Sequence, residues 1–355
     1  MTSSSYERCT KCIISANFPR IQFDDSGICN FCRDEIFFTT GNDAIDKAKE
    51  QVVHLLEESK GKAEYDAIMC YSGGKDSTYT LMLAVLKYGL KVLALTVDNG
   101  FLSPGAFKNI QTTVDHLGVD LVTVRPSSKF LIPLFKVSAF NEIYNPKSLT
   151  RISSGCNSCI SLINIIALKF ALEKKIPLIL AGFTLGQIPA NSIYYKNNYK
   201  FFVESRKPVL EKLREHLGSD VDRYFCINDS LLENSKTYPY NINLLCLEDP
   251  TEEEIVKKIQ EFGWESPKDV DGCSSNCRIN TFNNFIHQKK LGFNPYELEL
   301  SHLIRKGKLS RNEALKKISK QADKEILEPI FKKLKIKESD LDDLINSSAK
   351  QVGKR

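Results

Sequence analysis

The strongest constraint on this chain is a junction near residue 70, where a buried strand, a glycine-rich turn and a helix follow one another without a gap. Tyr65-Asp66-Ala67-Ile68-Met69-Cys70-Tyr71 is a short apolar run bounded by polar segments, the pattern of a buried parallel strand. Ser72-Gly73-Gly74-Lys75-Asp76-Ser77 follows at once, and the apolar residues from Thr78 to Tyr88 suit an amphipathic helix. Unpaired backbone N–H groups and the helix dipole then point at one place, which makes an anion site. Gly73 and Gly74 let the backbone approach phosphates, Ser72 and Ser77 can donate hydrogen bonds, Lys75 supplies charge, and Asp76 is placed to hold Mg²⁺. The hexapeptide is not the G-x-x-x-x-G-K-[ST] loop of kinase-like NTPases.

Alternation of strand and helix continues downstream. Lys91 to Asp98, Asp120 to Val124 and Ile176 to Gly182 read as strands, and Pro104 to Leu117 and Ser158 to Glu173 as helices. This order predicts an α/β fold with a doubly wound parallel sheet and a ligand at the strand C-terminal ends, where Asp98 and Gly182 fall.

Cysteines carry the next signal. Of the eleven, most fall in close pairs: Cys9/Cys12, Cys29/Cys32, Cys156/Cys159 and Cys273/Cys277. No apolar segment backs a basic start and no eighteen apolar residues run together, so a cytoplasmic chain with no membrane partner is expected. In that setting paired cysteines argue for metal rather than disulfides. Cys9, Cys12, Cys29 and Cys32 give C-x2-C-x16-C-x2-C, the spacing of a closed, structural Zn²⁺ site. Between the pairs, Ile21-Gln22-Phe23 alternates like a strand and Asp24-Asp25-Ser26-Gly27 is turn chemistry, as in a small ribbon.

With 355 residues the chain exceeds the ~100–200 typical of one domain, and 42% hydrophobic content excludes a disordered or low-complexity protein. The expected division is a four-cysteine zinc ribbon over 1–40, a nucleotide domain over 41–250 and a mostly helical region over 251–355. The net charge of +5 names no partner. From Ser301 to Arg355 there are 15 basic and 8 acidic residues, which is compatible with touching nucleic acid but reads first as a solvated helix face. The five histidines are scattered, and Glu204 to Lys207 and Arg278 are either solvated charges or anion contacts.

The loop Ser72 to Ser77 resembles the SGGxDS pyrophosphate loop of the ATP pyrophosphatase, or PP-loop, superfamily. The resemblance implies ATP and Mg²⁺ as ligands, cleavage of ATP to AMP and pyrophosphate, and an adenylated acceptor. It also implies Asp98 and Gly182 beside the nucleotide. End to end, the knuckle with Phe23-Asp24-Asp25-Ser26-Gly27-Ile28-Cys29, the loop, Leu291-Gly292-Phe293 and Leu303 to Leu315 resemble the N-acetyl sugar amidotransferases of surface-polysaccharide synthesis. Those would require ammonia from a partner glutaminase.

Gly155-Cys156-Asn157-Ser158-Cys159 and Gly272 to Arg278 depart from that pattern. The first resembles tRNA thiolation enzymes of the 2-thiouridine and 2-thiocytidine type, in which two cysteines here and a distant third hold an iron–sulfur cluster (4Fe-4S). That likeness implies an ATP-dependent sulfurtransferase with Lys75, Asp76, Cys156 and Cys159 in catalytic roles. Cys277 and Cys273 are candidates for the remaining ligands, with Cys246 also open. Three readings of the central pair stand: catalytic cluster or persulfide chemistry, a second structural zinc, or unrelated thiols. The acceptor is a small molecule or tRNA, a sulfur donor is required in the thiolation reading, and a homodimer is compatible with either.

Overall fold

Alternating apolar residues on the strands settle the layers. On β1 (Ala67–Cys70), Ile68 joins one apolar core while Ala67 and Met69 join another, so both faces of the sheet are covered. The computed structural model describes residues 7–34, 42–235, 237–319, 324–337 and 339–341. The proposed ribbon boundary at 40/41 and the end of the basic tail lie outside the described residues.

After α1 (Asn30–Arg33) and α2 (Asn42–Ser59), β1 leads into α3 (Lys75–Met82), whose last turns widen to a π-helix over Leu83–Lys87. Then follow β2 (Val92–Val97), α4 (Pro104–Leu117), β3 (Asp120–Val124), α5 (Ser128–Phe140), α6 (Ser154–Glu173) and β4 (Leu178–Ala181). The next stretch holds β5 (Tyr194–Lys196), α7 (Tyr199–Leu217), α8 (Asp220–Phe225), α9 (Asp229–Asn234) and β6 (Tyr240–Asn243). The C-terminal region is helical: α10 (Glu252–Gln260), α11 (Ile279–Leu291), α12 (Glu297–Arg305), α13 (Arg311–Ser319) and α14 (Lys324–Leu334).

The sheet order is β3-β2-β1-β4-β6-β5. Five strands run parallel, the four that the alternation predicts and β6, which it did not mark, but β5 pairs antiparallel with β6, so the sheet is mixed at that edge. Local chemistry explains the best-defined helix: Ser103 caps α4 by accepting from Ala106 N–H, Pro104 opens it, and Gly118 in the left-handed region closes it. Thr251 and Glu254 form a capping box on α10. By length and composition α6 could cross a bilayer, but it is a core helix whose Leu162, Ile165 and Leu168 are buried against the sheet.

The cysteine knuckle meets the C-terminal helical region. Phe18 and Phe31 of the cysteine knuckle pack with Phe293 and Leu298. Beneath them the fully buried Glu297 carboxylate accepts from Arg8 Nη1 at 2.7 Å, Ser15 N–H at 2.9 Å and Asn294 N–H at 3.1 Å. Removing it strands two backbone donors at about 1–3 kcal/mol each. Glu297→Ala is therefore expected to cost about 3 kcal/mol in denaturant unfolding; a loss under ~1 kcal/mol would show that the clamp contributes little.

Candidate active site

At the C-terminal end of β1 the chain turns through Ser72, Gly73 and Gly74 into α3. Gly73 has φ +72°, and a Cβ there would sit 2.5 Å from Ala106 O and 2.8 Å from Ile110 Cγ1. Only glycine suits both the backbone and the space. Trp264 Nε1 donates to Gly73 O at 3.0 Å, and Ser72 and Ser77 hydroxyls lie 3.0 Å apart, Ser77 also donating to Gly74 O. Lys75 Nζ reaches both Asp76 oxygens at 2.9 Å, so the charges expected to face phosphate and Mg²⁺ pair with each other here. Gly182, just past β4, lies so close to α3 that a Cβ would meet Thr80 Oγ1 at 2.8 Å. Asp98, just past β2, accepts from Gly100 N–H at 2.8 Å and pairs with Arg125 at 3.3 Å.

The segment Cys273 to Cys277 lies across this end of the sheet. Ser275 Oγ accepts from Lys75 N–H at 2.9 Å, in the phosphate loop itself. Leu102 and Cys277 form a bridge, flanked by Ser103 N–H to Asn276 O and Arg278 N–H to Phe101 O. That register brings Cys277 to the first turns of α6. Asn99 Nδ2 lies 3.4 Å from both Cys159 Sγ and Cys277 Sγ, so those sulfurs are at most twice that distance apart. Cys156, one turn before Cys159 on α6, is touched by Asn283 Nδ2 at 3.3 Å and Asn280 Oδ1 at 3.4 Å, both from α11.

The other two candidates lie elsewhere. Cys273 packs with Ile13, Leu300 and Ala314 and faces Lys317 O at 3.7 Å. Cys246 is buried on the opposite face of the sheet, its Sγ 3.2 Å from Phe183 O. Cys156, Cys159 and Cys277 thus form the group at the sheet rim, without Cys273 or Cys246. Burial pushes the Cys159 and Cys277 thiols up to about 12 and about 11, the Asn99 bonds opposing it. A lowered thiol pKa, which persulfide chemistry without a metal requires, is not what this environment gives.

The knuckle is separate. Cys9, Cys12, Cys29 and Cys32 are buried with all four Sγ atoms within 4.8 Å of one another. Cys9 Sγ accepts from Cys12 N–H at 3.4 Å and Cys29 N–H at 3.3 Å, and Arg311 donates to the carbonyls of Cys9 and Cys12. Four buried sulfurs this close, with N–H groups turned toward one of them, fit a single ion. The strand expected at Ile21 to Phe23 reduces to isolated bridges, Phe23 with Cys29 and Arg8 with Ser15. With so few ladder bonds, the fold of this segment rests on its turns and sulfurs.

Residues 256–353 match the family model described as LPS biosynthesis protein WbpG-like, C-terminal domain. The chain is similar to an uncharacterised protein of Methanocaldococcus jannaschii, at 23% identity over 91% of this chain and 97% of that one. A 105-residue stretch, 29% of the chain, is 30% identical to the glutamine-hydrolysing GMP synthase of Baumannia cicadellinicola and covers 18% of that enzyme. These likenesses support the ATP pyrophosphatase superfamily for the stretch that carries the phosphate loop. Among solved structures, the U34-tRNA thiolase NcsA from Methanococcus maripaludis with its [4Fe-4S] cluster aligns at 16% identity and a TM-score of 0.35, over 85% of this chain and 86% of its own.

Beside the phosphate loop an acidic group gathers round one ammonium. Burial alone would lower Lys75, but Asp76 and Glu252 hold it above its ordinary value. Burial pushes the Glu299 carboxyl of α12 up to about 7, with Lys75 opposing and Asp76 adding to the rise. Gln187 donates to Glu299 at 3.0 Å. Asn99, Trp264, Ser275, Glu252 and Glu299 are the participants the sequence pattern did not single out. Asn99 directly follows Asp98, and that adjacency to a strand end was the one available signal.

Proposed function

We propose that this ATP pyrophosphatase-type enzyme adenylates a carbonyl or enol oxygen of its acceptor and replaces that oxygen with sulfur. The observation that carries the reading is that Asn99 joins Cys159 to Cys277 at the rim of the sheet that bears the phosphate loop, with Cys156 one helical turn from Cys159. The acceptor oxygen attacks the α-phosphorus of ATP, the α–β bridge breaks, and pyrophosphate leaves. Sulfide then adds to the activated carbon and AMP departs with the oxygen.

The chain's own groups serve the first step. Backbone N–H groups of the loop, with the Ser72 and Ser77 hydroxyls, face developing phosphate charge. Asp76, released from Lys75, would hold Mg²⁺, and Lys75 would turn to the phosphates. The knuckle would hold one structural Zn²⁺. Three soft cysteine sulfurs with side-chain amides turned toward them suit an iron–sulfur cluster, with Cys156, Cys159 and Cys277 as its protein ligands. Bound there, a [4Fe-4S] cluster ligated by three cysteines supplies an iron open to an incoming sulfur.

A second reading, ammonia as nucleophile and an amidine as product, is favoured by the match of residues 256–353 to a WbpG-like LPS biosynthesis domain and by the GMP synthase stretch. Such an enzyme would draw ammonia from a partner glutaminase and act on a sugar.

Anaerobic purification with iron, sulfide and zinc analysis tests the cluster. About four irons per chain in the wild type are expected, lost in Cys156→Ser/Cys159→Ser while one zinc remains. Two zincs and no iron would sink the sulfur reading. Product mass separates the nucleophiles: oxygen exchanged for sulfur supports thiolation, and oxygen exchanged for nitrogen supports amidation.

A further inference from the structure

We infer that Asn99 is a positioning residue for Cys159 and Cys277, its single side-chain amide giving one N–H to each sulfur and holding the pair in place as cluster ligands. The inference rests on the cluster reading above and assigns a residue that the motifs do not include. Asn99 is 4% exposed, and its Nδ2 lies 3.4 Å from both sulfurs, one on α6 and the other 118 positions later in the chain.

The orientation of the amide is fixed by chemistry. Its Oδ1 accepts from Phe101 N–H at 2.9 Å, so turning the group over would set an NH2 against an N–H. The two protons of Nδ2 therefore face the sulfurs. An N–H bond to a neutral thiol is weak, whereas one to a thiolate is charge-assisted. Two donors of one fixed group are thus held for two sulfurs from distant parts of the chain. Asn283 Nδ2 lies 3.3 Å from Cys156 Sγ, so each of the three sulfurs faces an amide N–H, and Cys156 also faces Asn280 Oδ1 at 3.4 Å.

A simple turn role would ask less of the position. The Oδ1 bond to Phe101 N–H closes an Asx-type turn after β2, and an aspartate does that equally well, as Asp98 shows with Gly100. Asn99→Asp therefore keeps the turn bond and the shape but replaces the amide NH2 with an oxygen facing two sulfurs. Asn99→Ala removes the turn bond and both contacts to sulfur without adding charge. Hydrogen bonds to cluster sulfurs stabilise the more negative, reduced state, so their loss moves the reduction potential down.

The experiment compares anaerobically purified wild type, Asn99→Asp and Asn99→Ala for iron per chain and for midpoint potential by redox titration, with knuckle zinc and thermal melting as fold controls. Asn99→Asp is expected to keep its zinc and melting temperature and lose at least four-fifths of its iron, about fivefold or more. Asn99→Ala is expected to keep part of the iron at a lower potential. Should Asn99→Asp fail to fold, Asn99→Ala decides alone through its potential and iron content. Wild-type iron and potential in the variants would overturn the assignment and leave the cluster reading intact. No iron in the wild type would overturn both.

Discussion

Gly73→Ala is expected to weaken Mg-ATP binding by about a hundredfold or more, because a displacement near 1 Å in a positioning element has an effect of that order. Two costs combine at this position. A left-handed φ of +72° costs an L-residue about 1–2 kcal/mol, and the new Cβ would stand 2.5 Å from Ala106 O and 2.8 Å from Ile110 Cγ1. Neither neighbour can yield easily. Ala106 lies in the first turn of α4, fixed by the Ser103 cap, and Gly73 O is held from the other side by Trp264 Nε1. The loop must move instead, carrying its N–H groups away from the phosphates.

Gly89→Ala provides the control. Gly89 also has positive φ, at +63°, but a Cβ there meets nothing within 4 Å, so it incurs the backbone cost alone. Titration calorimetry with Mg-ATP on both variants separates strain from displacement. A Gly73→Ala protein that binds ATP like the Gly89→Ala protein would remove the loop from the role of phosphate cradle.

The contrast between what was legible in the sequence and what was not follows contiguity. The phosphate loop, α4 and β3 were readable because each is specified by residues adjacent in the chain: a glycine pair, a Ser-Pro start with a Gly stop, a short alternating run. Cys156 and Cys159 share one helix turn and were readable for the same reason. The third thiol was not. Cys273 and Cys277 stand four residues apart, and only the bridge between Leu102 and Cys277 sends one sulfur to Asn99 and the other toward Lys317. Ser275 and Trp264 reach the loop from 200 and 191 positions away, a placement set by packing of α10 and the bridged segment rather than by any local pattern. The antiparallel β5 was hidden because three residues are too few to show a period. The ribbon strand at Ile21 to Phe23 was misread because turns and sulfurs fix that segment.

Cys12→Ser is expected to release the knuckle metal and, with it, order well beyond residue 34. A structural zinc in a small four-ligand site contributes about 10–16 kcal/mol at neutral pH, and besides its cysteines the knuckle has only a small core of Ile14, Phe18, Phe31, Phe293 and Leu298 with a few partly buried neighbours. The consequence reaches the nucleotide through α12. Glu297 on this helix grips Ser15 and Arg8 of the knuckle, while Glu299, two residues on, belongs to the charged group around Lys75 and Asp76. Arg311, opening α13, donates to the carbonyls of Cys9 and Cys12 and loses its acceptors when the knuckle unravels. Loss of the metal should therefore loosen α12 and weaken Mg-ATP binding about tenfold, equivalent to 1.4 kcal/mol. Hydrogen exchange should report faster opening in α12 and α13 and unchanged protection in β1, β2 and β4, whose ladder bonds do not involve the knuckle. Metal release with ATP affinity and α12 protection both unchanged would mean that the knuckle is an appendage with no hold on the phosphate loop.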